Sequence, residues 1–296
     1  MSADKIGFRL EMLEGDFNIV SKKNRQYHQE YLTVAEKYGK AKFKNTTDEY
    51  MPYIEVFYNR NAALYTIQIE ACPSKILFNH NLQELNTEEV EQMLDKLVEK
   101  LEYAGIYTTK EILKQKPLNK LDVNKIIYWP NKMDILPYFQ KSAKQGHCKH
   151  AITYYPDEGL SVQNNLKRRK LHIYDKSEQA ERLEYLDKET LEFIQNAIFT
   201  IFNVEFKMEG KKDVDAEFKT QKIVLPNILE NAFNPIITKT ILLNRTREFF
   251  KDIFVISDDD ETIKEKVLTY CKKMGKRGLD KITSLMWICS LSRKPD

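Results

Sequence analysis

Glycine is scarce in this chain, with 9 in 296 residues. Neither Gly-x-x-x-x-Gly-Lys-Ser/Thr nor Gly-x-Gly-x-x-Gly occurs. Without such loops no backbone cradle for a nucleotide's phosphates is evident, which excludes a P-loop ATPase and a dinucleotide-binding enzyme. The chain therefore carries no helicase motor of its own. Cysteine is also sparse: Cys72, Cys148, Cys271 and Cys289 each stand alone, with no Cys-x-x-Cys pair. They read as buried or incidental thiols rather than as a disulfide framework. No apolar run reaches the ~18 residues a membrane span needs. The start, "MSADKIGFRLEML", has no basic stretch leading into an apolar core, so no secretory signal is read and a cytoplasmic location is expected. Disorder is excluded as well, because 11% of the residues are aromatic and 42% hydrophobic.

A strong overall charge is absent too, the net value being +3. Its distribution is uneven. Residues 110–176 hold 14 Lys and Arg against 6 Asp and Glu, a local +8. A basic middle in a near-neutral chain suggests a polyanion-binding surface, with solvated lysines as the plainer alternative.

The periodicity predicts an α+β fold: an antiparallel or mixed sheet built from hairpins with packed helices, and a helical C-terminal lobe. Residues 5–13 alternate weakly and can open a sheet. "RQYHQEYLTVAEKYG" is helix-compatible and stopped by Gly39. Strands are expected near 53–58 and 63–71, joined by a turn at "NRN". Residues 86–104 read as an amphipathic helix with Thr87 as N-cap. "TTKEILKQK" is a short helix and "LDVNKIIYW" a strand. "PYFQKSAKQGH" is taken as a short helix, and "HAITYYP", "GLSVQNN" and "KLHIYDK" as a second hairpin region. Residues 177–201 read as helical and "FNVEFKMEG" as a strand. From about 215 onward the pattern is helical, "QKIVLPNILENAF" and "PIITKTILLNRTREFFKDIF" included. The expected domains are 1–210, with two related halves as one reading of it, and 211–296.

Three features carry candidate chemistry. "GHCKH" at 146–150 and "DDDE" at 258–261 resemble metal ligands, but they read better as a polar loop and as acids capping a helix. The third is "KRRKLHIYDK", residues 167–176. Its alternation puts Lys170, His172, Tyr174 and Lys176 on one face, opposite Leu171 and Ile173. An isolated phenol titrates near ~10 and is a poor nucleophile. Cationic neighbours lower that value and hold a phosphodiester, so that the phenolate can attack phosphorus. A divalent ion screening the phosphate oxygens needs carboxylates. Glu70 interrupts "TIQIEA" and Glu205 interrupts "FNVEFKME", each on the polar parity of its strand.

The same segments carry a family resemblance. "IEACPSKILFNHNLQEL" (69–85) resembles the Glu-x-Ser-x-x-Lys stretch of gene II-type phage replication proteins and plasmid rolling-circle initiators. "LSVQNNLKRRKLHIYDKSEQAE" (160–181) resembles their Tyr-Asp-Lys block, and "FNVEFKME" (202–209) their later acidic strand. The sequence departs from the family where Phe78-Asn79-His80-Asn81 replaces a glycine, and where Phe202 and Asn203 replace an arginine. The resemblance implies a replication initiator that nicks and rejoins single-stranded or cruciform origin DNA. It makes Tyr174 the nucleophile, Lys176 its catalytic phosphate contact, and Glu70 and Glu205 ligands for Mg²⁺ or Mn²⁺. Lys167, Arg168, Arg169, Lys170, His172 and Lys75 are the expected DNA contacts. A host helicase and polymerase are the expected partners in a bacterial cytoplasm, with a homodimer as one assembly. Two alternatives stand beside it: a non-catalytic DNA-binding repressor or origin-recognition protein on the same scaffold, and a conjugative relaxase or transposase.

Overall fold

A computed structural model describes residues 2–13, 34–35, 37–43, 49–82, 84–129, 150–155, 159–164, 169–176 and 200–249. Among them, strands and helices form an α+β fold, as the periodicity predicts. The chain divides into two compact units.

One unit comprises residues 2–123 and 208–238. Its strands are β1 (Ser2–Leu13), β2 (Lys40–Lys42), β3 (Tyr53–Asn59), β4 (Leu64–Ala71) and the first half of β5 (Leu118–Trp129). They lie in the order β2-β3-β4-β1-β5. β4 alternates strictly, burying Tyr65, Ile67, Ile69 and Ala71 while Thr66, Gln68 and Glu70 stay half-buried. The antiparallel registers align Ile54, Ile69 and Phe8 in one row, and Val56, Ile67 and Leu10 in the next. Each of these six side chains is at most 5% exposed. Truncating Ile69 to Ala at the middle of its row should cost about 2–5 kcal/mol. β1 shows only weak alternation in sequence because Ala3, Asp4, Ile6, Gly7 and Phe8 are buried on both of its faces. A side chain at Gly7 has no room, since a Cβ would lie 2.7 Å from Asn119 Oδ1 and 2.8 Å from Lys120 Cβ.

Helix α1 (Pro73–Phe78) follows β4 directly, with Pro73 pre-set for the first turn and Asn79 closing it in the left-handed conformation. It packs on β1 and on α2 (Glu89–Tyr103). α2 buries Met93, Leu94, Leu97 and Leu101, the apolar stripe expected of it. Its start differs from expectation. Thr87 is not the cap; Asn86 Oδ1 accepts from the Glu89 amide at 2.9 Å and Glu89 Oε2 accepts from the Asn86 amide at 2.8 Å. Such a reciprocal capping box satisfies two orphan donors at once. α3 (Lys110–Lys114) is capped by Thr109, whose side chain accepts from the Ile112 amide. Gly39 (φ 81°) ends the residues 34–38 helical segment as expected, donating to Ala35 O at 2.7 Å.

The C-terminal part of this unit corrects one expectation. α4 (Lys211–Thr220) is helical, but 221–228 is not. Pro226 lacks an amide for a helix, and Ile228 bridges Pro117 before a short 3-10 turn, Leu229–Phe233. α5 (Pro235–Phe249) then runs on into the second unit.

The second unit takes in residues 124–207 and the chain from 239. Its strand order is β5-β9-β8-β7-β6, with β6 (His150–Tyr155), β7 (Gly159–Asn164), β8 (Arg169–Asp175) and β9 (Thr200–Met208). The expected hairpin region is a three-strand antiparallel meander, with Leu160 opposite Tyr154 and Ile173. On β9, Phe202, Val204 and Phe206 form the apolar parity, each 1% exposed. The Arg245 guanidinium of α5 lies 5.6 Å from the Phe206 ring centre, a cation–π contact on that side. The expected helices at 137–147 and 177–201, the "GHCKH" residues before His150, "DDDE" and everything past 249 lie outside the described residues.

Candidate active site

The opposite parity of β9 is polar and almost as deeply placed. Asn203 is fully buried and Glu205 3% exposed. Such groups are tolerated in a sheet interior only when bonded, and they are. Asn124 on β5 donates from Nδ2 to Asn203 Oδ1 at 3.1 Å. Asn203 in turn donates from Nδ2 to the Tyr174 hydroxyl oxygen on β8 at 2.9 Å. The first bond occupies the carbonyl of Asn203 and so fixes its amide with the NH₂ group toward Tyr174. A phenol oxygen receiving such a donor is better suited to carry negative charge than one in apolar surroundings.

The charged neighbours on these strands are mostly cationic. Lys170, His172 and Tyr174 are half-buried on one side of β8, while Leu171 and Ile173 are fully buried on the other. Lys176, just past the strand, is fully buried. Lys207 pairs with Glu205 at 3.1 Å. Burial first, then the charges of Lys207 and Lys170, push the His172 imidazole down to about 4. His172 is therefore neutral at physiological pH, a hydrogen-bonding group rather than a third cation.

The other unit holds a second polar cluster. Glu70 lies opposite Gly7 on β1 and Tyr53 on β3. Its Oε2 accepts from Lys120 Nζ at 2.8 Å and its Oε1 from Gln68 Nε2 at 3.3 Å. Arg9 donates to Gln68 Oε1 at 3.3 Å, extending the row. Burial alone would lower the Lys120 ammonium; the bond to Glu70 and the charges of Asp122, Glu70 and Glu209 outweigh it and raise its pKa. Lys75, on α1, holds its ammonium 5.7 Å from the Tyr50 ring centre. Of the remaining sequence-predicted residues, Arg169 opens β8, and Lys167 and Arg168 lie outside the described residues.

Residues 19–220, more than half of the chain, match the family described as the N-terminal region of the replication-associated protein of gene II-type phages. The chain belongs to that family. Its role is accordingly in phage replication, and DNA is its partner. No curated protein and no solved structure matches it. No helix among the described residues is long and apolar enough to cross a membrane.

Membership in this replication-protein family makes a divalent ion an expectation to be tested against the donors present. Both oxygens of Glu70 are engaged by Lys120 and Gln68, and Glu205 is engaged by Lys207. Among the described residues no three His, Cys, Asp or Glu side chains gather as a metal centre. As placed, the two acids do not offer vacant carboxylates to Mg²⁺ or Mn²⁺, and the described donors do not fit such an ion. Four residues of these clusters, Asn124, Asn203, Lys207 and Lys120, were not singled out as functional by sequence reasoning. For Asn203 and Lys207 a signal existed, since both share the parity of Glu205 in "FNVEFKM".

Proposed function

We propose that this protein initiates rolling-circle replication by nicking and rejoining single-stranded origin DNA, with Tyr174 as the nucleophile. The phenol gives up its proton and its oxygen bonds to phosphorus. The bond from phosphorus to the 3′ oxygen breaks, and that oxygen leaves and takes up a proton. The product is a phosphotyrosine ester on the 5′ side and a free 3′ hydroxyl on the other. Attack of the 3′ hydroxyl on the ester reverses both changes and reseals the strand, which conserves the bond energy. Asn203 is a positioning residue, donating to the phenol oxygen and favouring its anionic form. Lys170 and Lys207 supply positive charge for a phosphodiester, and Lys176 is the further phosphate contact. A host helicase opens the duplex and a host polymerase extends the 3′ end, in the bacterial cytoplasm.

One observation supports this reading above the others: the Tyr174 hydroxyl stands in a buried amide relay beside lysines rather than in an apolar core. Mg²⁺ or Mn²⁺ is the ion expected to assist such chemistry, and to bind at Glu70 or Glu205 it must displace Lys120 or Lys207. That same pairing favours the second reading, a non-catalytic DNA-binding protein on this scaffold. Incubation with labelled single-stranded DNA and Mg²⁺ or Mn²⁺ separates the two. An SDS-stable adduct is expected; DNA binding with no adduct under either ion would leave the binding protein only.

A further inference from the structure

The sheet end formed by β2 and β3 is left unused by the proposed chemistry, although the sequence around it is rich in Lys and Tyr. On β3, Ile54 and Val56 point into the core, so Tyr53 and Glu55 stand on the other side of the sheet. The register sets Lys42 opposite Glu55. Lys42 reaches past that acid to place its ammonium 5.1 Å from the Tyr53 ring centre. Just before β2, Lys37 places its ammonium 5.1 Å from the ring centre of Tyr38. These are large rings to leave in water: Tyr38 is 68% exposed and Tyr53 40%. Lys37, Lys40 and Lys42 are exposed too, and the acid that β3 sets among them, Glu55, is half-buried.

Lysines on an edge strand have a simple use, which is to discourage pairing with another sheet. That use does not call for two exposed tyrosines, each with a lysine at its ring. The combination of open π-faces with adjacent cations is what a single strand of nucleic acid recognises, bases on the rings and phosphates on the ammonium groups. Lys40 and Lys42 are two residues apart on an extended strand, about 6.6 Å, a step that suits successive phosphates of an extended strand. Duplex DNA, with its bases already stacked, has no use for the rings.

We propose that this end of the sheet is a stacking platform for single-stranded DNA, with Tyr38 and Tyr53 taking bases and Lys37, Lys40 and Lys42 taking phosphates. The proposal rests on the reading that the protein handles single strands, and needs no nicking chemistry. The test is fluorescence anisotropy of the full chain with labelled oligo-dT, and with a duplex, in buffer free of divalent ions. The double variant Tyr38→Leu/Tyr53→Leu should lose about tenfold or more in oligo-dT affinity, with duplex affinity and the salt slope unchanged. Tyr38→Phe/Tyr53→Phe keeps both rings and should bind as the wild type does. Lys40→Gln/Lys42→Gln should flatten the salt slope by about 0.7 per lost contact. Wild-type affinity in the leucine variant, equal losses on oligo-dT and duplex, or the same loss in the phenylalanine variant would each overturn the platform. A wild-type protein that binds oligo-dT through these rings yet forms no covalent adduct keeps the platform and loses the nicking reading.

Discussion

The two polar clusters are built on the same strand pattern and have opposite electrostatic character. Around Lys120, three acids bear on one ammonium, and the base is held more firmly protonated than in water. Around His172, two lysines and burial bear on one imidazole, and the base is held neutral. The first cluster is internally balanced, its cation already supplied. In the second, the field at the imidazole is positive and a hydroxyl stands close by, so an added anion lowers its energy. An alternating strand with a charge on its polar parity therefore says little by itself. The cross-strand neighbour decides whether the charge is consumed within the protein or left for a ligand.

The largest expected effect tests the second cluster directly. Tyr174→Phe should abolish the covalent adduct outright. Stability should fall by only about 1 kcal/mol, the worth of one hydrogen bond, as read from thermal melts. An adduct that survives would move the nucleophile to another tyrosine, Tyr154, Tyr155 or Tyr185. Asn203→Ala comes next. Removing a donor to a developing anion costs about 1.5–3 kcal/mol, so adduct formation should slow by roughly 10- to 100-fold. The rate should also need a higher pH, because the phenolate has lost its donor. A slower rate with an unchanged pH profile would mean that Asn203 is structural only.

The elements of this fold were largely legible because each writes its period locally. "LYTIQIEA" alternates, and α2 repeats its apolar residues at helical spacing. The misreadings came where two local signals competed. Thr87 is a good cap by residue type, yet Asn86 holds the box with Glu89 because that pair has the three-residue spacing. "QKIVLP" looks helical until Pro226, and its Val224 is 98% exposed instead of buried. The site was legible only as parity. That Tyr174 and His172 share a face follows from "KLHIYDK", but Asn203 is 29 residues from Tyr174 in sequence and Lys120 is 50 from Glu70. Those partners depend on strand order, which no local pattern states.

The first cluster can be broken by removing its cation. Lys120→Met should cost about 2 kcal/mol at neutral pH, as expected when a partly buried charge pair loses one member. The sign with pH is fixed by the raised lysine. Its contribution is complete below the ordinary lysine value of 10.5 and is lost as pH rises through the higher folded value. Wild type should therefore lose more stability than Lys120→Met on alkaline titration. Parallel curves would show that Lys120 and Glu70 contribute nothing net.

The smallest effect at neutral pH belongs to His172, and it sharpens the contrast most. A base held at about 4 in the folded protein and near its usual 6.5 when unfolded binds its proton only after unfolding. Stability is thus unaffected above pH ~6.5, falls as pH drops toward 4, and levels off below. At pH 5.5 the loss is about 1.4 kcal/mol. His172→Gln should remove that part of the acid sensitivity, since Lys170 and Lys207 stay charged throughout and Glu205 is held by Lys207. The ligand then supplies the decisive reading. A phosphodiester beside Lys170 and Lys207 offsets the charge that opposes protonation, so the imidazole should titrate at higher pH once single-stranded DNA is bound. NMR of the His172 ring protons, with and without a saturating oligonucleotide on the Tyr174→Phe protein, measures this. An imidazole that titrates identically in both would place the DNA away from β8, and Tyr174 would lose its claim to the phosphorus.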